Sequence, residues 1–161
     1  FLKARGYDVG NSLVEDDLLD KVKLLEAEAN KIGVELLLPI DVVTANAFSQ
    51  NALVRIIDIG GKCSDMMILD VGSKSINKFK EHLQSSDIIV WNGPLGVFEI
   101  DMFANGTKQL VSLLAEVSIN KTVIAGGGDS IAAINKYKLA DNFTHISTGG
   151  GAMLEYLEGK I

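Results

Sequence analysis

At 161 residues, 47% of them hydrophobic, the chain can bury the core of one domain and is too apolar to be disordered. Its formal charge of −6 argues against a nucleic-acid or anionic-membrane partner, whose phosphates would repel it, but leaves room for a local phosphate site built from backbone amides. The lone cysteine, Cys63, has no internal disulfide partner, and no apolar run reaches the roughly 20 residues that cross a bilayer, so a cytoplasmic protein is expected.

The first five residues, Phe1-Leu2-Lys3-Ala4-Arg5, lack the apolar core of a secretory signal. Ser12-Leu13-Val14-Glu15 has the form of a capping box, and Leu18, Val22, Leu25, Ala29 and Ile32 recur behind it at helical spacing, with Gly33 as the stop. Val34 to Leu38 is an apolar run that predicts a strand ended by Pro39, and Asp41 to Ala45 predicts a second. Asn46 to Asn51 is polar enough for a loop. Met66 to Asp70 is another strand-like run, closed by Gly72. Ile76, Phe79 and Leu83 mark a helix, and Asp87 to Trp91 a strand. Phe103, Leu110, Leu114 and Val117 mark the next helix, followed by a strand at Thr122 to Ala125. A short helix over Ile131 to Tyr137, a strand end at Thr144 to Ile146 and a helix over Ala152 to Leu157 complete the chain. Alternating strands and helices, with strands as continuous apolar runs, predict an α/β fold: a parallel sheet covered by helices on both faces. No linker divides the chain, so residues 1–161 are expected to form one domain.

Each of the last three strands ends in a glycine-containing turn: Trp91-Asn92-Gly93-Pro94-Leu95-Gly96-Val97-Phe98-Glu99, Gly126-Gly127-Gly128-Asp129-Ser130, and Ser147-Thr148-Gly149-Gly150-Gly151-Ala152. In a parallel sheet all three lie at the strands' carboxyl edge, where such folds bind ligands. Glycine lets the backbone approach an anion closely, and the amides of the next helix N-terminus then point at phosphate oxygens. A bare strand-to-helix turn is the plainer account of either triplet alone. Two in succession favour anion binding.

The single residues each carry two readings. Asp129 is either a magnesium ligand or the N-cap of the following helix. Asn92 donates to a phosphate or stabilises a turn, and Glu99 accepts from ribose hydroxyls or is a solvated acid. Pro94, Val97 and Phe98 wall a purine pocket or cover core. His82 and His145 have no second ligand nearby, so neither marks a metal site. A dinucleotide-binding oxidoreductase is disfavoured, because neither triplet has the G-x-G-x-x-G spacing after an early strand.

Trp91 to Glu99, followed by Phe103-Ala104-Asn105-Gly106-Thr107-Lys108, closely resembles the signature of the phosphoglycerate kinases. Gly126 to Ser130 and His145 to Ala152, then Leu154-Glu155 and Leu157-Glu158-Gly159-Lys160, are similar to that family's C-terminal motifs. The likeness also takes in Phe1-Leu2-Lys3, Gly10-Asn11-Ser12-Leu13 and Leu36 to Val43, and so covers nearly the whole chain in the family's order.

The resemblance implies a Rossmann-like domain and reversible phosphoryl transfer from 1,3-bisphosphoglycerate to MgADP, giving 3-phosphoglycerate and MgATP in glycolysis. It implies that Asp129 ligates Mg²⁺ and that Asn92, Gly93, Gly127, Gly128, Ser130 and Thr148 line the nucleotide phosphates. Glu99 is then on the ribose, and Leu69, Pro94, Val97 and Phe98 shape the nucleoside pocket. Gly149 and Gly150 present helix amides to the migrating phosphoryl, the catalytic role. The family's Gly-Leu-Asp-x-Gly-Pro segment appears here as Ile68-Leu69-Asp70-Val71-Gly72-Ser73, so Ile68 is expected to narrow the nucleoside pocket. The resemblance also places the start of this chain inside the family's second domain, with early strands missing. On this view the glycerate-binding half is absent, the parent enzyme is a monomer, and this chain alone has no turnover.

Overall fold

The computed structural model of the chain describes residues 1–160. Two units follow one another along the chain, Phe1–Ser75 and Ile76–Ile161.

In the first unit, a single 3-10 turn at Asp16–Leu18 leads into α1, Leu19–Lys31. Ser12 does not cap it. The Ser12 hydroxyl instead donates to the Val9 carbonyl at 2.5 Å and accepts the Ile68 amide at 2.9 Å, which removes the side chain from any helix start. Gly33 does stop the helix, at φ +75°, and the Val34 amide returns to the Ala29 carbonyl at 2.8 Å.

Three strands follow: β1, Asp41–Ala45; β2, Val54–Asp58; and β3, Met67–Val71. They form an antiparallel sheet in the order β2-β1-β3. β1 is central and well buried, with Val42, Thr44 and Ala45 fully covered. The expected strand at 34–38 does not form: both sides of β1 are taken by β2 and β3, and the segment joins no ladder. β2, which the apolar runs did not predict, is the return arm of a hairpin whose loop is closed by the Leu53 amide on Asn46 Oδ1 at 2.9 Å.

Helix α2, Ser73–Ser85, starts against a buried acid. Asp41 is 1% exposed, and its carboxylate accepts the Lys74 amide at 3.1 Å, the Ser75 amide at 2.7 Å and the Ser75 hydroxyl at 2.6 Å. It therefore caps α2 from a distant strand. Gly72 makes room for it, since a Cβ there would lie 2.1 Å from Asp41 Oδ2.

The second unit contains β4, Ile88–Trp91; α3, Asn105–Val117; β5, Thr122–Gly126; α4, Gly128–Tyr137; β6, His145–Ser147; and α5, Gly150–Leu157. Its strands are parallel, in the order β4-β5-β6. Strand alternation sends Ile89, Trp91, Val123 and Ala125 to one face, where they meet Leu110, Val111 and Leu114 of α3 and Ala133 and Ile134 of α4. Gly126 turns to the other face, and a Cβ on it would lie 2.5 Å from the methyl of Met153 in α5. Helices thus sit on both faces, as expected, although Ile88 and Val90 remain 68% and 42% exposed. The register pairs Trp91 with Ala125 and Gly126 with Ser147, so the carboxyl ends of all three strands finish side by side.

Burial pushes the Asp41 carboxyl up, but the Ser75 hydroxyl, the Ser75 and Lys74 amides and the Lys74 charge outweigh it and hold it below the usual range. Its folded value is depressed, so its contribution is present above the unfolded value of about 4 and is lost as pH falls through the folded value. Asp41→Ala is expected to lower stability by about 2 kcal/mol, having stripped the Lys74 and Ser75 amides of their acceptor. Urea denaturation at neutral pH measures this, and the variant should show a shallower loss of stability below about pH 4 than the unsubstituted chain.

Candidate functional site

The three turns singled out in the sequence meet in the second unit. Gly127 lies at their centre with φ +89°, between β5 and the first turn of α4. A Cβ on Gly127 would lie 2.4 Å from Asn92 Oδ1, in the turn after β4. A Cβ on Gly150 would lie 2.5 Å from both the Cα and the amide nitrogen of Gly127. Both distances are below any real Cβ contact, so only glycine permits this approach. Two helix N-termini, of α4 and α5, therefore lie side by side at one edge of the sheet.

Neither helix is capped by a side chain. The first intrahelical bond of α4 runs from the Ile131 amide to the Gly127 carbonyl at 3.1 Å, and that of α5 from the Met153 amide to the Gly149 carbonyl at 2.9 Å. The amides of Gly128, Asp129 and Ser130, and of Gly150, Gly151 and Ala152, precede those bonds. Paired helix starts with bare amides form a positive field suited to a polyanion.

Asp129 is the second residue of α4, not its N-cap, and its carboxylate is exposed. The capping account of this acid is thus excluded by geometry. Among the described residues no group of three or more His, Cys, Asp or Glu side chains could hold a metal by itself. One exposed carboxylate beside free amides does fit Mg²⁺ carried in on phosphates, because that ion keeps few protein ligands.

Gly93 adopts φ +117°, and its amide donates to the Ser130 hydroxyl at 2.7 Å. Ser130 is fully buried, and its hydroxyl ties the turn after β4 to the start of α4. Trp91 Nε1 donates to the Gly93 carbonyl at 2.5 Å, and the indole stacks on Phe143 with ring centroids 6.4 Å apart. The Thr107 hydroxyl, buried at the start of α3, accepts the Leu95 amide at 3.1 Å and the Gly96 amide at 3.4 Å. Further along the same turn, Lys136 Nζ donates to the Phe98 carbonyl at 2.7 Å and to Asp101 Oδ1 at 2.8 Å. The Lys136 hydrogen bond holds the Asp101 carboxyl below its usual range, and Asp101 in turn raises the Lys136 ammonium.

Of the expected nucleoside residues, Phe98 is 5% exposed and belongs to the hydrophobic core, whereas Pro94 and Val97 are half-buried and Glu99 is exposed. Thr148 and Gly149 are exposed beside Gly150. Leu69, which belongs to the first unit, is a buried side chain of β3. Sequence reasoning did not single out Thr107 or Lys136. Thr107 stands inside the quoted Phe103–Lys108 motif, but Lys136 carries no local signal, since a lysine near a helix end is ordinary.

The family model for phosphoglycerate kinase matches residues 1–160. A phosphoglycerate kinase from Thermosynechococcus vestitus is 52% identical over 161 residues, covering 99% of this chain and 40% of its own length. One from Prochlorococcus marinus strain MIT 9301 is 54% identical over 163 residues, covering 100% of this chain and again 40% of the relative. Among solved structures, phosphoglycerate kinase from Coxiella burnetii superposes with a TM-score of 0.93 at 40% identity, over 98% of this chain and 41% of that one. The enzyme from Pyrococcus horikoshii OT3 gives a TM-score of 0.77 at 35% identity, over 98% of this chain and 39% of that one. The chain spans about 40% of the length of the curated relatives it matches. With three motif-bearing turns converging as the family pattern anticipates and a match along 1–160, the chain belongs to the phosphoglycerate kinase family.

Proposed function

We propose that this chain supplies the nucleotide-binding part of an enzyme that transfers a phosphoryl group between 1,3-bisphosphoglycerate and MgADP, giving 3-phosphoglycerate and MgATP. The observation that carries this is the contact of Gly127 with both Asn92 and Gly150, which sets two uncapped helix N-termini side by side. A nucleotide polyphosphate fits that field. The amides of Gly127 and Gly128 bind its oxygens, with Asn92 and Gly93 beside them, Thr148 at the edge of α5 and Ser130 holding the Gly93 turn in place. Gly149 and Gly150 aim α5 amides at the migrating phosphoryl, whose equatorial oxygens share its negative charge. Pro94 and Val97 form the accessible wall of the nucleoside pocket, Phe98 backs it from the core, and Glu99 accepts from the ribose hydroxyls.

Asp129 holds the magnesium ion, which neutralises phosphate charge when bound. The carboxylate is exposed, and the helix makes no capping demand on it. Fixed donors at the oxygens stabilise charge as it develops, because they are already oriented before the phosphoryl moves. The glycerate partner, the hinge between halves and the catalytic cations are functions of the whole enzyme, of which this polypeptide is one contributor. By itself it acts as a nucleotide-binding module.

Calorimetric titration should show saturable binding of MgADP and none of NAD. Asp129→Asn should weaken MgADP binding by about tenfold or more while changing Mg²⁺-free ADP little, the scale expected for one charge-assisted ligand. Binding of NAD alone would overturn the assignment. Gly150→Ala must push α5 away from Gly127, so it should reduce MgADP affinity at least about tenfold. In a coupled assay, the pure 161-residue polypeptide should form no ATP from 1,3-bisphosphoglycerate and MgADP. Turnover at a whole kinase's rate would contradict the division of labour drawn here.

A further inference from the structure

The stretch from Asn92 to Ile100 has no regular secondary structure, yet it carries Pro94, Val97 and Glu99. Such a segment holds its shape through its own turns, the burial of Phe98 and ties to rigid elements, and three of those ties reach helices α3 and α4. Gly93 is tied to Ser130 at the start of α4, Leu95 and Gly96 to Thr107 in α3, and Phe98 to Lys136 near the end of α4. The third differs from the other two in chemistry. Its donor is a charged ammonium, its acceptor is a main-chain carbonyl, and the same ammonium also holds Asp101 at the loop's far end.

We propose that Lys136 is a positioning residue for nucleotide binding: it fixes the far end of the Asn92–Asp101 segment to α4, the helix whose first turn carries Asp129. This rests on the nucleotide assignment above. Asp129 and Lys136 are seven residues apart, two helical turns, and so lie on the same side of α4, about 10 Å apart along its axis. One rigid helix thereby sets the spacing between the acid at the phosphate end and the loop at the nucleoside end. The Asp101 hydrogen bond, and then the Asp101 and Glu99 charges, outweigh burial and favour the protonated form of the ammonium. A lysine near a helix C-terminus can instead serve only the helix dipole. That role predicts no effect on the loop, so the two accounts separate.

The test uses Lys136→Met, which keeps the apolar stem of a partly exposed side chain, and Lys136→Arg, which restores a charged donor. Hydrogen exchange of the ligand-free chain should accelerate about tenfold or more in the 94–101 segment of Lys136→Met, with β5 and α3 unchanged. MgADP dissociation constants should rise about tenfold in the same variant, and Lys136→Arg should return both quantities to within about threefold of the original. Unchanged exchange in the segment overturns the proposal, as does faster exchange with unaltered MgADP affinity. Failure of the unsubstituted chain to bind MgADP would strike the nucleotide assignment instead, and the exchange result, which needs no ligand, would still decide the clamp.

Discussion

The close approach of backbone to backbone at Gly127 is the constraint around which the site is arranged. At Gly127 and Gly150, hydrogen atoms occupy the places where side chains would collide with Asn92 and with the Gly127 backbone. Contact of this kind brings the two helix starts together. A larger residue at Gly150 would separate α5 from α4 and dilute their combined field, which falls off within the first turn of each helix, and one at Gly127 would displace Asn92. The parallel register then matters as much as the glycines, because it ends β4, β5 and β6 at one edge.

Around that contact, polar side chains do the fixing that the loops cannot do for themselves. Ser130 and Thr107 are both fully buried, and each hydroxyl accepts main-chain amides from the turn after β4. Buried hydroxyls without partners would be costly, so satisfying them with loop amides makes the loop conformation part of the core. No buried side-chain nitrogen or oxygen among the described residues lacks a partner. Asp41 follows the same rule in the first unit. A strand acid there completes a helix start that its own sequence leaves uncapped, with Gly72 clearing the space.

The sequence was most legible where local pattern and environment agreed. Residues 88–157 alternate strand and helix in short crossovers, and each predicted element there is found within a few residues of its expected place. The first unit was harder to read because its sheet is antiparallel, with β2 exposed along much of its length. Apolar runs signal strands buried on both faces, so Val54–Asp58 escaped notice, while the run at 34–38 suggested a strand but pairs with none. Ser12 illustrates a related limit. Its capping-box spacing is a local signal, but a hydroxyl takes whichever partners the fold supplies, and here these are Val9 and Ile68.

By itself, the sequence determined the family, the α/β alternation and the identity of the turns that bear glycine and acid. Those features are written in short spacings, and glycine's lack of a Cβ has the same consequence in any fold. Only the tertiary structure decided that Asp129 stands free of capping and that Ser130 faces inward. It alone decided that Phe98 is core and that Lys136 reaches back to the Phe98 carbonyl. Each of these depends on which atoms lie within about 3 Å across tens of residues of chain, a distance over which hydrogen bonds act and sequence spacing is silent.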